Sequence, residues 1–176
     1  MLMRRSLLVW FCAVGVLGCA SLAPVDPNGL AGRLSVRVEG ASGEPARSIS
    51  GGFELLGDAE RGRLNLSTPL GTMLAQASWS PQQVALVTAQ GQATYSDMAA
   101  LTRELLGTAL PVEALFDWLR GRPWPGAASR ANDSPAAAGF TQLGWQVNLS
   151  RFDEGFIDAR RVEPPLVTVR AKLDRP

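Results

Sequence analysis

In ATYSDMAALTRELLGTALPVEALFDWLRG (Ala93–Gly121) the apolar residues change their period. Up to Tyr95 they alternate, as on the half-buried face of a strand. Beyond it Met98, Leu101, Leu105 and Leu106 fall at helical spacing, with Ser96 placed to cap the helix and Gly107 to stop it. A second helix follows directly. Val112, Leu115, Trp118 and Leu119 share one face, and Pro111 fits a first turn, where a missing N–H costs nothing. Gly121 fits the end of this helix, and Arg120 and Arg122 suit the negative pole of its dipole. The stretch predicts a helical pair set between the segments on either side.

Those segments read as strands. Upstream, Arg33–Glu39 alternates strictly, with Leu34, Val36 and Val38 on one face, and Gly40 to Pro45 is a turn. Ile49, Gly51, Phe53 and Leu55 repeat the alternation as far as Gly57-Asp58. Leu64 with Leu66, then Met73–Ser78, Val84–Thr88 and Ala93–Tyr95, supply four more strands. The Gly51-Gly52 pair marks either a β-bulge or a close approach to a ligand. Downstream, Gly126 to Gly139 is rich in Ala, Ser and Gly and reads as a loop. Trp145–Leu149, Phe156–Val162 and Val167–Leu173 resume the strands, with Pro164-Pro165 before the last of them. Six strands, two helices and about four strands predict one curved antiparallel sheet with the helices against a single face.

The composition narrows the chemistry. The chain has 176 residues, enough for one domain with a sizeable core, and a formal charge of only +1, which gives no basic surface for nucleic acid. It contains no histidine, which removes Ser-His-Asp and Cys-His mechanisms and most zinc sites. No nucleophile elbow, phosphate-binding loop or metal-ligand cluster is present. Ser48, Ser50, Asp58 and Glu60 read as ordinary strand and turn residues. Glu113 and Asp117 lie four apart on the second helix, where a solvated face explains them. Composition alone leaves a glycosidase-like carboxylate pair open, though no spacing points to one; the expectation is a protein that is not an enzyme and uses no metal or cofactor.

The N-terminus carries more. MLMRRSLLVWFCAVGVLGCAS has Arg4 and Arg5, an apolar run from Leu7 to Val16, and small residues at its end. That is the layout of an export signal, and the run is short of the roughly 20 apolar residues that span a bilayer. A short membrane anchor or a buried N-terminal helix is the alternative. Val16-Leu17-Gly18-Cys19 resembles the bacterial lipoprotein box, with Val16 standing where Leu is usual. The resemblance implies a signal peptide over residues 1–18 and a covalent lipid on Cys19, which becomes the mature N-terminus. Cys12 would leave with the signal. Ala20 is not the aspartate that retains such proteins at the inner membrane, so the resemblance implies the outer membrane, facing the periplasm. Residues 19–29, with two prolines and no periodicity, read as a tether, and residues 30–176 as the folded domain.

Large apolar residues at helical spacing usually pack in cores, so Leu115, Trp118 and Leu119 either plug the space under the helices or line a pocket there. Their wider setting is informative. LPVEALFDWLRGRPWPG (Leu110–Gly126) resembles the P-x-x-x-L-x-x-W-hydrophobic-x-G-x-P signature of the LolB family, with Pro111, Leu115, Trp118, Leu119, Gly121 and Pro123 at those places. PLGT (Pro69–Thr72) resembles that family's Pro-Leu-Gly turn, ATYSDMAALTRELLG the stretch before its first long helix, and GWQVNLS the strand after its loop. The matches keep their order from about Gly32 to Leu173. The Ala-rich segment Ala127–Gly139 departs from the pattern.

The resemblance implies an unclosed antiparallel β-barrel of about eleven strands, covered by helices and holding an apolar cavity. It implies that the protein receives acylated lipoproteins from the soluble periplasmic carrier LolA and inserts them into the outer membrane without ATP. Leu101, Leu105, Leu115, Trp118 and Leu119 are the candidates for the acyl-chain cavity. The protein is expected to be a monomer. A binder of free lipid or glycolipid on the same fold is the competing reading. Leu70, a single apolar residue at a turn, is unremarkable alone. Pro69 and Gly71 make a tight bend that pushes it outward, and the matching leucine of LolB-like proteins is associated with membrane insertion. Pro69, Leu70 and Gly71 are thus the candidate membrane-insertion loop.

Overall fold

The computed structural model describes residues 29–40, 45–132 and 138–174. Cys19, the expected signal and all of the expected tether except Gly29 lie outside the described residues. Eleven strands form one antiparallel sheet: β1 (Leu30–Val38), β2 (Arg47–Gly57), β3 (Gly62–Ser67), β4 (Met73–Ser80), β5 (Gln83–Thr88), β6 (Gly91–Tyr95), β7 (Ser129–Ala131), β8 (Gly139–Gln142), β9 (Trp145–Asn148), β10 (Phe156–Arg161) and β11 (Val167–Leu173). Their order is β6-β5-β4-β3-β2-β1-β11-β10-β9-β8-β7. The first and last strands therefore pair at the centre, and one meander runs out to each edge. The edges β6 and β7 do not pair, so the barrel stays open. The chain crosses from one edge to the other through α1 (Met98–Leu106) and α2 (Val112–Trp118).

Alternation aims the core. In the β1–β11 register Leu34 faces Ala171, Val36 faces Val169 and Val38 faces Val167. Side chains of alternate residues point to one side of a sheet. That side meets Met98, Leu101, Leu106, Ala114, Phe116, Trp118 and Leu119 of the helical crossover in one buried cluster. The helices are held unevenly. At the end of α2, Trp118 packs against Phe140 (6.4 Å between centroids) and Trp145 (5.7 Å), while Phe116 meets Trp79 edge-on at 5.2 Å. Between the helices, Arg161 of β10 donates to Thr108 Oγ1 (2.9 Å) and to the Pro165 carbonyl, tying the crossover to the sheet.

Local details differ from the sequence reading in four places. The N-cap of α1 is Asp97, not Ser96: its Oδ1 accepts from the Ala100 amide at 2.7 Å, and Ser96 donates to its other oxygen. Pro111 is the residue before α2 rather than within its first turn. The segment 126–139 is not all loop, because Ser129–Ala131 forms β7 against β8. All three residues of β7 are exposed, and β8 buries Phe140 beside the polar Gln142, so neither strand shows apolar alternation. Finally, β2 pairs with β1 without interruption through Gly51-Gly52. The bulge lies further out, where Leu66 faces Ala75 but Ser67 faces Met73, which leaves Leu74 as an extra residue on β4.

Candidate functional site

An apolar recess of about 240 Å³ lies between the sheet and the helices. The inward faces of β1 to β5 form its floor, with Leu34, Ile49, Phe53 and Leu66 among them, and α1, α2 and the segment between them its roof. Leu101, Leu105, Leu115 and Leu119, all singled out from the sequence, line it. Trp118 does not. It is fully buried beyond the wall, and its indole N–H donates to Gln142 Oε1 at 2.8 Å. The physical reason is position on the helix: Trp118 faces the aromatic cluster on β8 and β9, while Leu115 and Leu119 face the recess.

The recess offers nothing to a polar ligand. Its two hydroxyl-bearing wall residues are Thr88 and Thr102. Thr102 Oγ1 donates to the Met98 carbonyl and accepts from the Leu110 amide, each at 3.0 Å. Thr88 Oγ1 donates to the Gly91 carbonyl and accepts from the Gln90 amide. Both hydroxyls are thus taken by backbone, and what remains is hydrocarbon. Such a surface suits alkyl chains, which gain about 0.8 kcal/mol per buried CH₂.

Leu74 and Leu105 line the recess and are also 44% and 41% exposed, so they stand at its mouth. The bulge explains Leu74: with one extra residue on β4, both Leu74 and Ala75 reach the recess although they are adjacent in sequence. Strict alternation hid this from the sequence. The floor residues were legible as strand faces, but alternation marks a buried face without telling a filled core from an open one.

Four residues before Leu74 is the exposed turn. The Thr68 amide donates to the Thr72 carbonyl (2.8 Å), the Gly71 amide to the Thr68 carbonyl (2.9 Å), and the Thr72 amide to Thr68 Oγ1 (3.1 Å). Pro69 and Gly71 flank the tip, and Gly71 takes φ +82°, a conformation that favours glycine. This small closed loop leaves Leu70 95% exposed, with half-exposed Met73 between it and the mouth. The expected bend therefore has the expected outward leucine.

Gln142 was missed from sequence. It is buried, accepts from Trp118 and from the Trp124 amide (3.0 Å), and donates to the carbonyls of Trp124 and Ala127 (2.7 Å each). One side chain thereby locks the end of α2, the segment after it and β8 together. A lone glutamine in a short strand gives no signal of this. Gly121 serves the same corner: it takes φ +75°, and a Cβ there would lie 2.6 Å from the Phe152 ring.

The helical carboxylates do not form a reactive pair. Asp117 accepts from Arg122 Nε at 2.6 Å, which fixes the turn that ends α2. Among the described residues no group of three His, Cys, Asp or Glu side chains is placed to hold a metal. No described helix is long and apolar enough to cross a membrane.

Comparison with known proteins agrees with this geometry. Residues 29–173 match the family model described as outer membrane lipoprotein LolB. An outer-membrane lipoprotein LolB of Bordetella petrii is 35% identical over 98% of this chain and 93% of its own length. Its counterpart in Thiobacillus denitrificans is 31% identical over 98% of the chain and 94% of its own. One from Chromobacterium violaceum is 29% identical over 85% and 84%. The chain belongs to the LolB family of outer membrane lipoproteins.

Proposed function

We propose that this protein, anchored in the outer membrane by lipid on Cys19, receives acylated lipoproteins from the periplasmic carrier LolA and places their acyl chains in that membrane. It works as a monomer by binding and release, with no ATP, metal or covalent catalysis. The observation that carries the reading is the recess of hydrocarbon with half-exposed Leu74 and Leu105 at its mouth, Leu74 only four residues along the chain from the exposed Leu70. Acyl chains must pass from one apolar site to another without meeting water, since each wetted CH₂ costs about 0.8 kcal/mol. A recess beside a membrane-seeking tip shortens the wet path.

At about 240 Å³ the recess is smaller than the roughly 300–1,000 Å³ typical of small-molecule pockets. Reception of whole acyl chains therefore requires it to widen. The end of α2 stays with the Trp118 cluster and the segment between the helices with Arg161, and α1 tilts outward at Leu105. Leu70 then enters the bilayer and the chains follow into lipid.

The test is transfer from a carrier–lipoprotein complex to the purified full-length protein in detergent, followed by native mass spectrometry. Acylated client bound to this protein and lost from the carrier is the expected result. Uptake of free phospholipid or glycolipid with no capture of acylated protein would replace the proposal with a lipid binder.

A further inference from the structure

The face of the sheet opposite the core carries a groove of different character beside the Leu70 loop. Alternation places Arg33 and Ser35 of β1, Ser50 and Gly52 of β2, and Arg170 and Lys172 of β11 on that face. These residues line an open depression of about 750 Å³, and Thr68, Pro69 and Gly71 of the loop form part of its wall.

Its charges are arranged at a cost. Arg33 stands directly opposite Lys172 in the β1–β11 register, and like charges so placed repel. Among the described residues neither forms an ion pair, although the hydrogen bond from Arg151 and, after it, the Lys172 charge help hold the Glu154 carboxyl below its usual range. Lys172 donates to the Glu154 carbonyl and lies 4.5 Å from the centre of the Phe156 ring. Arg170 is held by Asp158 at 3.0 Å. Asp174 is the other carboxylate on the groove, so three cations meet two anions, one of which is engaged. A bound anion between Arg33 and Lys172 removes their repulsion.

The floor beside Arg33 is a hydroxyl. Its partner on β2 is Gly52, and Gly52 faces Ser67 of β3. A Cβ at Gly52 would lie 2.8 Å from Ser67 Oγ, so the Ser67 hydroxyl takes the space that a side chain at Gly52 would need. Ser35 and Ser50 line the same depression with Ser67. Guanidinium, ammonium and hydroxyl donors in one open depression match the oxygens of a phosphate.

We propose that this groove binds the phosphate of an anionic phospholipid headgroup when Leu70 enters the bilayer. The proposal rests on the reading of Leu70 as the membrane contact. An apolar group seated roughly 5–10 Å into the headgroup boundary brings the adjoining loop wall to the level of the phosphates. The groove thereby orients the mouth of the recess against the membrane, beyond what a single leucine fixes.

The test titrates detergent-solubilised full-length protein with dihexanoyl phosphatidylglycerol below its micellar concentration, reading backbone amide shifts. Dihexanoyl phosphatidylcholine and inorganic phosphate are the other arms. Saturable shifts at Ser35, Gly52 and Ser67 are expected with phosphatidylglycerol, and about tenfold weaker binding with the other two. Arg33→Gln with Lys172→Gln should weaken phosphatidylglycerol binding by about tenfold or more. The exposed Ser50→Asp, which adds a negative charge, should weaken it too. Leu70→Asn, which adds no charge beside the groove, should leave this titration unchanged, so a failure of the Leu70 reading in delivery assays stays separate from a failure of the groove. Equal binding of phosphatidylcholine, equal binding of inorganic phosphate, indifference to the charge variants, or shifts confined to the recess would each overturn the headgroup assignment.

Discussion

Trp118→Phe separates core from cavity wall. The substitution keeps an aromatic ring against Phe140 and Trp145 but removes the indole N–H that Gln142 Oε1 accepts at 2.8 Å. That oxygen keeps only the Trp124 amide at 3.0 Å. A buried polar group left short of a partner costs about 1–3 kcal/mol. The smaller ring leaves a void worth about 1 kcal/mol more. The sum, about 2–4 kcal/mol, lowers the melting temperature by roughly 5–15 °C for a domain of this size. Urea unfolding followed by far-ultraviolet circular dichroism reads the first quantity. Capture of acylated client, measured well below the transition, reads the second and should be unchanged, because Trp118 is absent from the recess wall. Gln142→Leu should cost more, since it strands Trp118 Nε1, the Trp124 amide and two carbonyls at once. A Trp118→Phe protein of wild-type stability with weakened acyl capture would refute the reasoning.

Other outcomes follow from the same geometry. Leu105→Asn, at the half-exposed mouth, should leave stability within about 0.5 kcal/mol while lowering acyl-client capture; unchanged capture would remove Leu105 from the path. Hydrogen bonds from the Ala100 amide and from Ser96 hold the Asp97 carboxyl below the usual aspartate range. A depressed value stabilises the fold above the unfolded-state pKa, and the benefit fades as pH falls through the folded-state value. The melting-temperature difference between wild type and Asp97→Ala should therefore be full at pH 7 and shrink below about pH 4; a constant difference down to pH 2 would point to packing alone. Cys19→Ala should fractionate away from the outer membrane with the fold intact, and tight membrane retention of that variant would count against Cys19 as the anchor.

The sheet and helices were legible because period carries over directly into exposure. Leu34, Val36 and Val38 alternate and point inward, and the switch after Tyr95 marks the crossover between two halves of one sheet. The missed pieces lack that pattern. β7 is an exposed three-residue edge, and on the inward face of β8 the polar Gln142 stands beside Phe140, so no apolar alternation marks it. Spacing left core and pocket open for the helix residues, and of the five candidates that came with the family resemblance Leu101, Leu105, Leu115 and Leu119 line the recess while Trp118 does not, because one helix face can serve two neighbours. The groove beyond the core was invisible in sequence. It depends on Arg33 meeting Lys172 across strands that stand at opposite ends of the chain.

Delivery by the Leu70→Glu protein is the most direct measurement. Leu70 makes no packing contact that its 95% exposure would allow to matter for folding, so the melting temperature should match wild type. Seating a leucine side chain in lipid is worth about 1.5–3 kcal/mol, and a carboxylate there reverses the preference. Transfer of acylated client from carrier to receptor should proceed normally. Onward delivery to vesicles should then fall by roughly tenfold or more, with client accumulating on the receptor. A Leu70→Glu protein that stays folded, accepts client and delivers it at the wild-type rate would contradict the central claim that this tip hands acyl chains to the membrane.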